Sequence, residues 1–393
     1  MKDFWAEGLQ NRRKSKIIKA IILWIILIVI LIFIILCIIY YNNMSFRTWC
    51  DENIIKKEVL QEDVNIIEIG RDENIQVYAY DKYICVLSKK TLDFYNRVGT
   101  KIDSIEIDIL DPEFVSNGRY LAISEKNGQK FYLISDREIL FENNIEGNIT
   151  EINVNRNGFV SVLISNTTYK SVVEVFDKTG KEIFRTNLVS SRVIDISISQ
   201  DSKYLAIAEV DISGIIIKSN IMIVSFEIAQ TNSEEAIIYK YEAPTGKLIT
   251  NINYQDKNKL VCMFDDSIGV LENETYSELL KYDSNLSFVT ISLNNRIVTV
   301  QENSTGEYTS DTTVSIVNTN NGKIKKYHTN NIAKAILTYS NKIAINFGTE
   351  LHIIGTNGIL IKKYISNSEI NDIVMTDNLI AIVYNDNIAI INF

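Results

Sequence analysis

The sequence predicts an all-β fold, an eight-bladed β-propeller with seven blades as the alternative, preceded by one N-terminal transmembrane α-helix. Three observations carry this reading. A polar turn followed by an apolar strand recurs eight times, a second turn rich in Gly and Asn recurs in phase with it, and one unbroken apolar run occupies 20–41 of the 393 residues.

The chain opens on a basic segment, 1–19, in which Lys2, Arg12, Arg13, Lys14, Lys16 and Lys19 outnumber Asp3 and Glu7. That segment is +4 while the whole chain is −9, so the remainder carries −13. An acidic bulk repels phosphate backbones, and no Lys/Arg stripe interleaved with aromatics reverses the field locally, which excludes nucleic acid as a partner.

Residues 20–41 are nearly all Ile, Leu, Val or Phe, without charge, Pro or Gly. As a helix they span roughly 33 Å, enough for a hydrocarbon core of about 30 Å. Trp24, Tyr40 and Tyr41 fit interfacial belts, and the basic residues before the run against Asp51 and Glu52 after it place the N-terminus in the cytoplasm. A cleaved signal would be shorter in its apolar part and end in small residues, whereas here Tyr40-Tyr41-Asn42-Asn43 follows. The expectation is an uncleaved single-pass anchor in a bacterial plasma membrane, with the C-terminal domain extracytoplasmic. Cys50 lacks the small and aliphatic residues of a lipidation site before it. A linker, 42–62, comes next, with a helical turn or two expected around 54–60.

From 64 onward the texture is short Ile/Val/Tyr runs between Asn, Asp, Gly and Ser, with no sustained 3.6-residue period. The turn-strand unit is seen in Asn117-Gly118-Arg119-Tyr120-Leu121-Ala122-Ile123 and again in Asp201-Ser202-Lys203-Tyr204-Leu205-Ala206-Ile207. Its first strand residue falls at 83, 120, 159, 204, 260, 297, 343 and 379, intervals of 36 to 56 residues. The second turn appears in Asn96-Arg97-Val98-Gly99 and Asp177-Lys178-Thr179-Gly180, where Gly supplies the positive φ of a hairpin. Four strands per ~40 residues, repeated eight times, is the pattern of a propeller. The last copy holds three strands before Phe393, and the lone strand 64–69 is expected to complete it and remove the open edge. The propeller is thus expected over 63–393.

The residue inventory excludes much chemistry. All three tryptophans precede the repeats, which removes the Trp-Asp dipeptide of WD40 blades and the Trp docking motif of quinoprotein propellers. His328 and His352 are the only histidines and sit at strand positions that suit packing. Cys85 and Cys262 occupy equivalent positions four units apart, too distant for a disulfide, and read as small buried residues. No nucleophile elbow, phosphate loop, His-Glu-x-x-His helix or calcium loop is present. No cofactor, metal site or catalytic residue is therefore expected.

The basic tail, the span 20–41, and repeats such as Ser202-Lys203-Tyr204-Leu205-Ala206-Ile207 with Asp177-Lys178-Thr179-Gly180-Lys181 together resemble the DUF5711 family of clostridial proteins. The resemblance covers nearly the full chain and implies a membrane-anchored propeller of unknown function; it transfers no active-site residues.

Two functions fit these readings. One is a non-enzymatic scaffold that holds a protein or cell-wall partner at the envelope. The other is an extracytoplasmic carbohydrate-binding or hydrolytic propeller acting through an acidic axial pocket. For the first, the longest repeat intervals single out 209–220 and 301–312 as partner-binding loops, with Ile215, Ile216, Ile217, Glu302, Glu307, Tyr308 and Asp311 as the contact residues.

Overall fold

A computed structural model describes residues 2–42, 46, 50, 54, 58–59, 65–70, 75–282, 286–304 and 310–392. It divides into an N-terminal unit, 1–57, and a β unit, 58–393.

The N-terminal unit holds a long helix, Lys2–Asn42, of 41 residues, and Phe46, Cys50 and Ile54 beyond it are also helical. The long helix exceeds what the apolar run alone requires, because nothing in 2–19 breaks a helix and the basic residues there are good helix formers. Within it Ile21–Tyr40 is long and apolar enough to cross a membrane.

The β unit is an eight-bladed propeller, which settles the blade count against seven. Eight antiparallel sheets follow one another along the chain, at 75–106, 112–144, 148–188, 191–242, 249–281, 286–329, 335–365 and 372–392; they are numbered here as blades 1 to 8. In blades 1 to 7 the four strands lie in chain order from the axis outward. Neighbouring first strands touch at the junctions of blades 1 to 5 and 6 to 8, and Ile75–Tyr80 of blade 1 meets Asp372–Met375 of blade 8. Blade 8 takes its outermost strand from Asn65–Glu68, which pairs antiparallel with Asn387–Asn392.

Each second strand starts within one residue of the repeat markers read from the sequence. Period-two alternation then assigns its two faces to two different cores. In Tyr83–Ser88, Cys85 and Leu87 pack toward blade 2 while Ile84 and Val86 pack toward blade 8. The same division around the ring gives eight apolar clusters, one at every blade interface. Cys85 and Cys262 are fully buried free thiols in two of these clusters, and burial pushes both thiols far up from their ordinary range. Gly180 shows why the third-to-fourth turn selects glycine. Its φ is +82°, and a Cβ there would meet the Phe141 ring at 2.8 Å.

Two expectations need correction. The helical turn placed at 54–60 holds only at its start: Ile54 is helical, in a π turn, whereas Glu58–Val59 is a short strand, parallel to Lys363 and Tyr364, that adds a fifth strand to blade 7. The outer edge of that blade offers unpaired backbone groups to any extended segment, and this outweighs a weak helical pattern. The 56-residue interval after Tyr204 also does not lengthen one loop alone. Part of it is a capped turn of helix, Phe226–Ala229, followed by a 3-10 turn, Ser233–Glu235, between the third and fourth strands of blade 4. Ser225 caps the first by accepting from the Ile228 N–H, and buried Phe226 stacks near Phe159 with ring centroids 6.2 Å apart.

Candidate functional site

Antiparallel order sorts every connection onto one of two faces. The links between blades and the loops from second to third strands emerge together, here termed the connector face; the remaining hairpin turns form the opposite face.

The two segments singled out by interval length are second-to-third connections of blades 4 and 6, so they belong to the connector face on either side of blade 5. Half of the first, and all of the described part of the second, is ladder rather than loop. Tyr204–Asp211 pairs with Lys218–Ser225 as far as Asp211 opposite Lys218, leaving only 212–217 as a tip. Ile215 is fully exposed there, and Ile212, Ile216 and Ile217 are also exposed. Arg296–Ser304 pairs with Ser310–Asn318 up to Ser304 opposite Ser310, so Glu302 and Asp311 are strand residues. Glu307 and Tyr308 lie outside the described residues. Asp311 is engaged: its carboxylate accepts from Asn303 Nδ2 at 2.9 Å and contacts His328 Nε2 at 3.2 Å. His328 in turn meets Thr313 Oγ1 through Nδ1 at 3.2 Å.

His352 is buried at 1% exposure between Tyr327 Oη, 2.8 Å from Nδ1, and Glu350 Oε2, 3.2 Å from Nε2. Glu350 also contacts Lys363 at 3.3 Å and accepts from Asn331 Nδ2 at 2.7 Å. The His352 hydrogen bond, ahead of Lys363, pulls the Glu350 carboxyl down to about 2. This chain ties blade 6 to blade 7.

At the axis the structure assembles acids that the sequence scattered. The first strands of blades 3 to 6 share a bulge at equivalent positions, between Ile149 and Glu151, Val193 and Asp195, Ile249 and Asn251, and Leu286 and Phe288. A bulge re-aims the next side chain. Glu151 and Asp195 thereby come within hydrogen-bond reach across two blades. Asp195 is buried, and its carboxylate accepts from the Ile196 N–H at 2.8 Å, the Ile252 N–H at 2.7 Å and Asn251 Nδ2 at 3.4 Å. One side chain of blade 4 thus joins blades 3, 4 and 5. Burial first, and then the Asp195 charge, push the Glu151 carboxyl far up, so the pair holds a proton at neutral pH.

Beyond them, at the connector-face mouth, are Glu113 of blade 2, Asp372 of blade 8 and Tyr78 of blade 1, which stacks on Phe114 with centroids 3.4 Å apart. Burial raises Asp372, and burial with the nearby Asp372 and Glu113 charges pushes the Tyr78 phenol up to about 12. No paired-acid motif signals any of these residues; the only clue is a lone acid inside a first-strand position.

Residues 58–393 match the profile of DUF5711, a family of unknown function. The chain belongs to the DUF5711 family. Comparison of this DUF5711 chain with curated proteins finds no match. Among solved structures it is similar to the dihydro-heme d1 dehydrogenase NirN in complex with DHE, at 11% identity over 89% of this chain and 82% of that one, TM-score 0.53. It is also similar to BamB from Moraxella catarrhalis, at 12% identity over 84% and 96%, TM-score 0.49. At such identities the likeness is one of fold alone.

Proposed function

We propose that this DUF5711 protein is a non-enzymatic, membrane-anchored scaffold whose extracytoplasmic propeller holds a protein partner on its connector face. The observation that carries the reading is the asymmetry of exposed apolar side chains. On the connector face Leu110, at 83% exposure, Val189, at 72%, Leu248 and Ile332 stand out from the links between blades, beside the isoleucine tip of 212–217. On the opposite face Val98, at 53%, is the large apolar side chain more than half exposed in a turn among the described residues, while Leu140, Ile237, Ile238 and Ile324 at the starts of outer strands there reach 43–45%. Clustered exposed apolar groups rimmed by polar ones mark interaction surfaces.

A photo-crosslinking residue at position 216 is expected to give discrete adducts in intact cells, and one at Asn357 on the opposite face none. Ile215→Asp with Ile216→Asp should abolish those adducts while shifting stability by less than about 0.5 kcal/mol, as for surface changes generally. Equal adducts from both faces would remove the support for this surface.

Orientation has its own test. Protease added to intact protoplasts should digest the propeller and leave a short membrane fragment, as the positive-inside rule requires. A fully protected propeller would reverse the topology.

A further inference from the structure

The connector face also carries a groove that the apolar tips do not explain. Between blades 7 and 8 lies a cavity of about 860 Å³, walled by the 366–371 link and the 384–387 loop. A second, of about 640 Å³, opens over the inner ends of blades 1, 2 and 8. Asn371, Tyr384 and Asn385 line both, so the two cavities adjoin at these residues and are taken together here as a groove. Each is within the ~300–1,000 Å³ range of ligand sites.

We infer that this groove binds an uncharged oligosaccharide. The inference goes beyond the scaffold function and does not rest on it. Asn371 Nδ2 donates to Asn385 Oδ1 at 2.6 Å, which fixes two amide planes against each other. The Asn371 amide oxygen and the Asn385 amide nitrogen keep no protein partner among the described residues, leaving an acceptor beside a donor. That is the complement of two neighbouring hydroxyls, each of which both donates and accepts. Tyr384 is held at the junction by its hydroxyl, which donates to Ser366 Oγ at 2.8 Å and lies 3.4 Å from Tyr364 Oη. A fixed ring next to free amides suits a sugar, which has an apolar face and a hydroxyl edge.

The charges select against the other polymers. Asp386 lies in the outer part and Asp111, Glu113 and Asp372 in the inner part, with Lys126 the one cation lining it among the described residues. Glu369 is already paired with Lys334 at 2.5 Å. A polyanion is repelled. An extended peptide would need side-chain pockets along its length, but apart from tyrosine rings the outer cavity offers only Ile66 and Ala389 as apolar lining, the apolar side chains Ile69, Ile75, Val77, Pro112 and Val383 being confined to the inner cavity.

The test uses the full chain in detergent with chitotetraose and cellotetraose as probes, followed by calorimetry. One or both should bind with a Kd of about 1 mM or tighter. Asn371→Ala with Asn385→Ala should weaken binding roughly tenfold or more with the melting curve unchanged, whereas Asn357→Ala on the opposite face should not alter it. Retention on insoluble chitin, lost in the same double variant, would identify the site as one that holds a polymer along its length; binding of tetramers alone would identify capture of free oligosaccharide. No binding of either tetramer at about 10 mM, or binding undiminished by the double substitution, overturns the proposal.

Discussion

Ile67→Asp is expected to destabilise the propeller by about 4 kcal/mol or more, whereas Ile66→Asp, one residue earlier in the same strand, should cost less than about 1 kcal/mol. Ile67 is 4% exposed, lies opposite Ile388 in the closing strand pair and belongs to the cluster shared by blades 8 and 1. Placing a carboxylate there removes apolar burial and puts an unpaired charge into the one interface whose two blades are joined through the N-terminal segment. Ile66 points the other way and is 61% exposed. Urea unfolding of the two variants of the full chain, followed by the loss of strand signal, measures the difference. Similar midpoints for both would mean that Asn65–Glu68 does not close the ring.

Asp195→Ala should cost about 3–5 kcal/mol, because it strips the acceptor from two backbone N–H groups and from Asn251 at once, and leaves Glu151 without its neighbour. Glu151→Gln, which imitates the protonated acid, should be nearly neutral at pH 5 and change the response to pH. The folded Glu151 carboxyl sits above its unfolded value, so the folded state binds more protons than the unfolded chain once pH exceeds the ordinary value of about 4.5. Its contribution is therefore complete below that pH and is lost progressively as pH rises. Glu350 has the opposite sign: lowered to about 2, it contributes above about 4.5 and loses that contribution as pH falls toward 2. Unfolding midpoints between pH 5 and 9 should fall in the native protein and flatten in Glu151→Gln. Parallel slopes in the two proteins would deny Glu151 its bound proton.

The fold was legible because its signal is local and repeated. Each unit states its own turn, in residues such as Asn117-Gly118 or Thr179-Gly180, and its own alternation, and eight weak statements in phase make one strong one. What escaped notice depends on partners far away in the chain. Glu58–Val59 becomes a strand only because Lys363 and Tyr364 present an edge to it. Glu151 and Asp195 lie 44 positions apart and meet because two bulges turn them toward each other. Asn371 and Asn385 read as two more turn asparagines in a sequence full of them; their pairing exists only once blade 8 has formed. Interval length located two extended second-to-third hairpins, in blades 4 and 6, but misjudged their contents, since added residues lengthened the ladders and built a capped turn as well as a tip.

The two N-terminal strands give the ring an order of mechanical failure. Tension transmitted along the chain from the helix meets Glu58–Val59 first, a pairing of two residues on blade 7, and then Asn65–Glu68, the seam of blade 8. The first acts as a fuse: it yields before the seam is loaded and lets slack into the chain without opening the ring. Only a pull that outlasts this slack reaches the seam, and then blade 8 parts while blades 1 to 7, each made from one continuous stretch of chain, keep their own four strands. A protein tethered by one end would in this way absorb brief jolts at a contact that re-forms in place and surrender its closed shape only to sustained force.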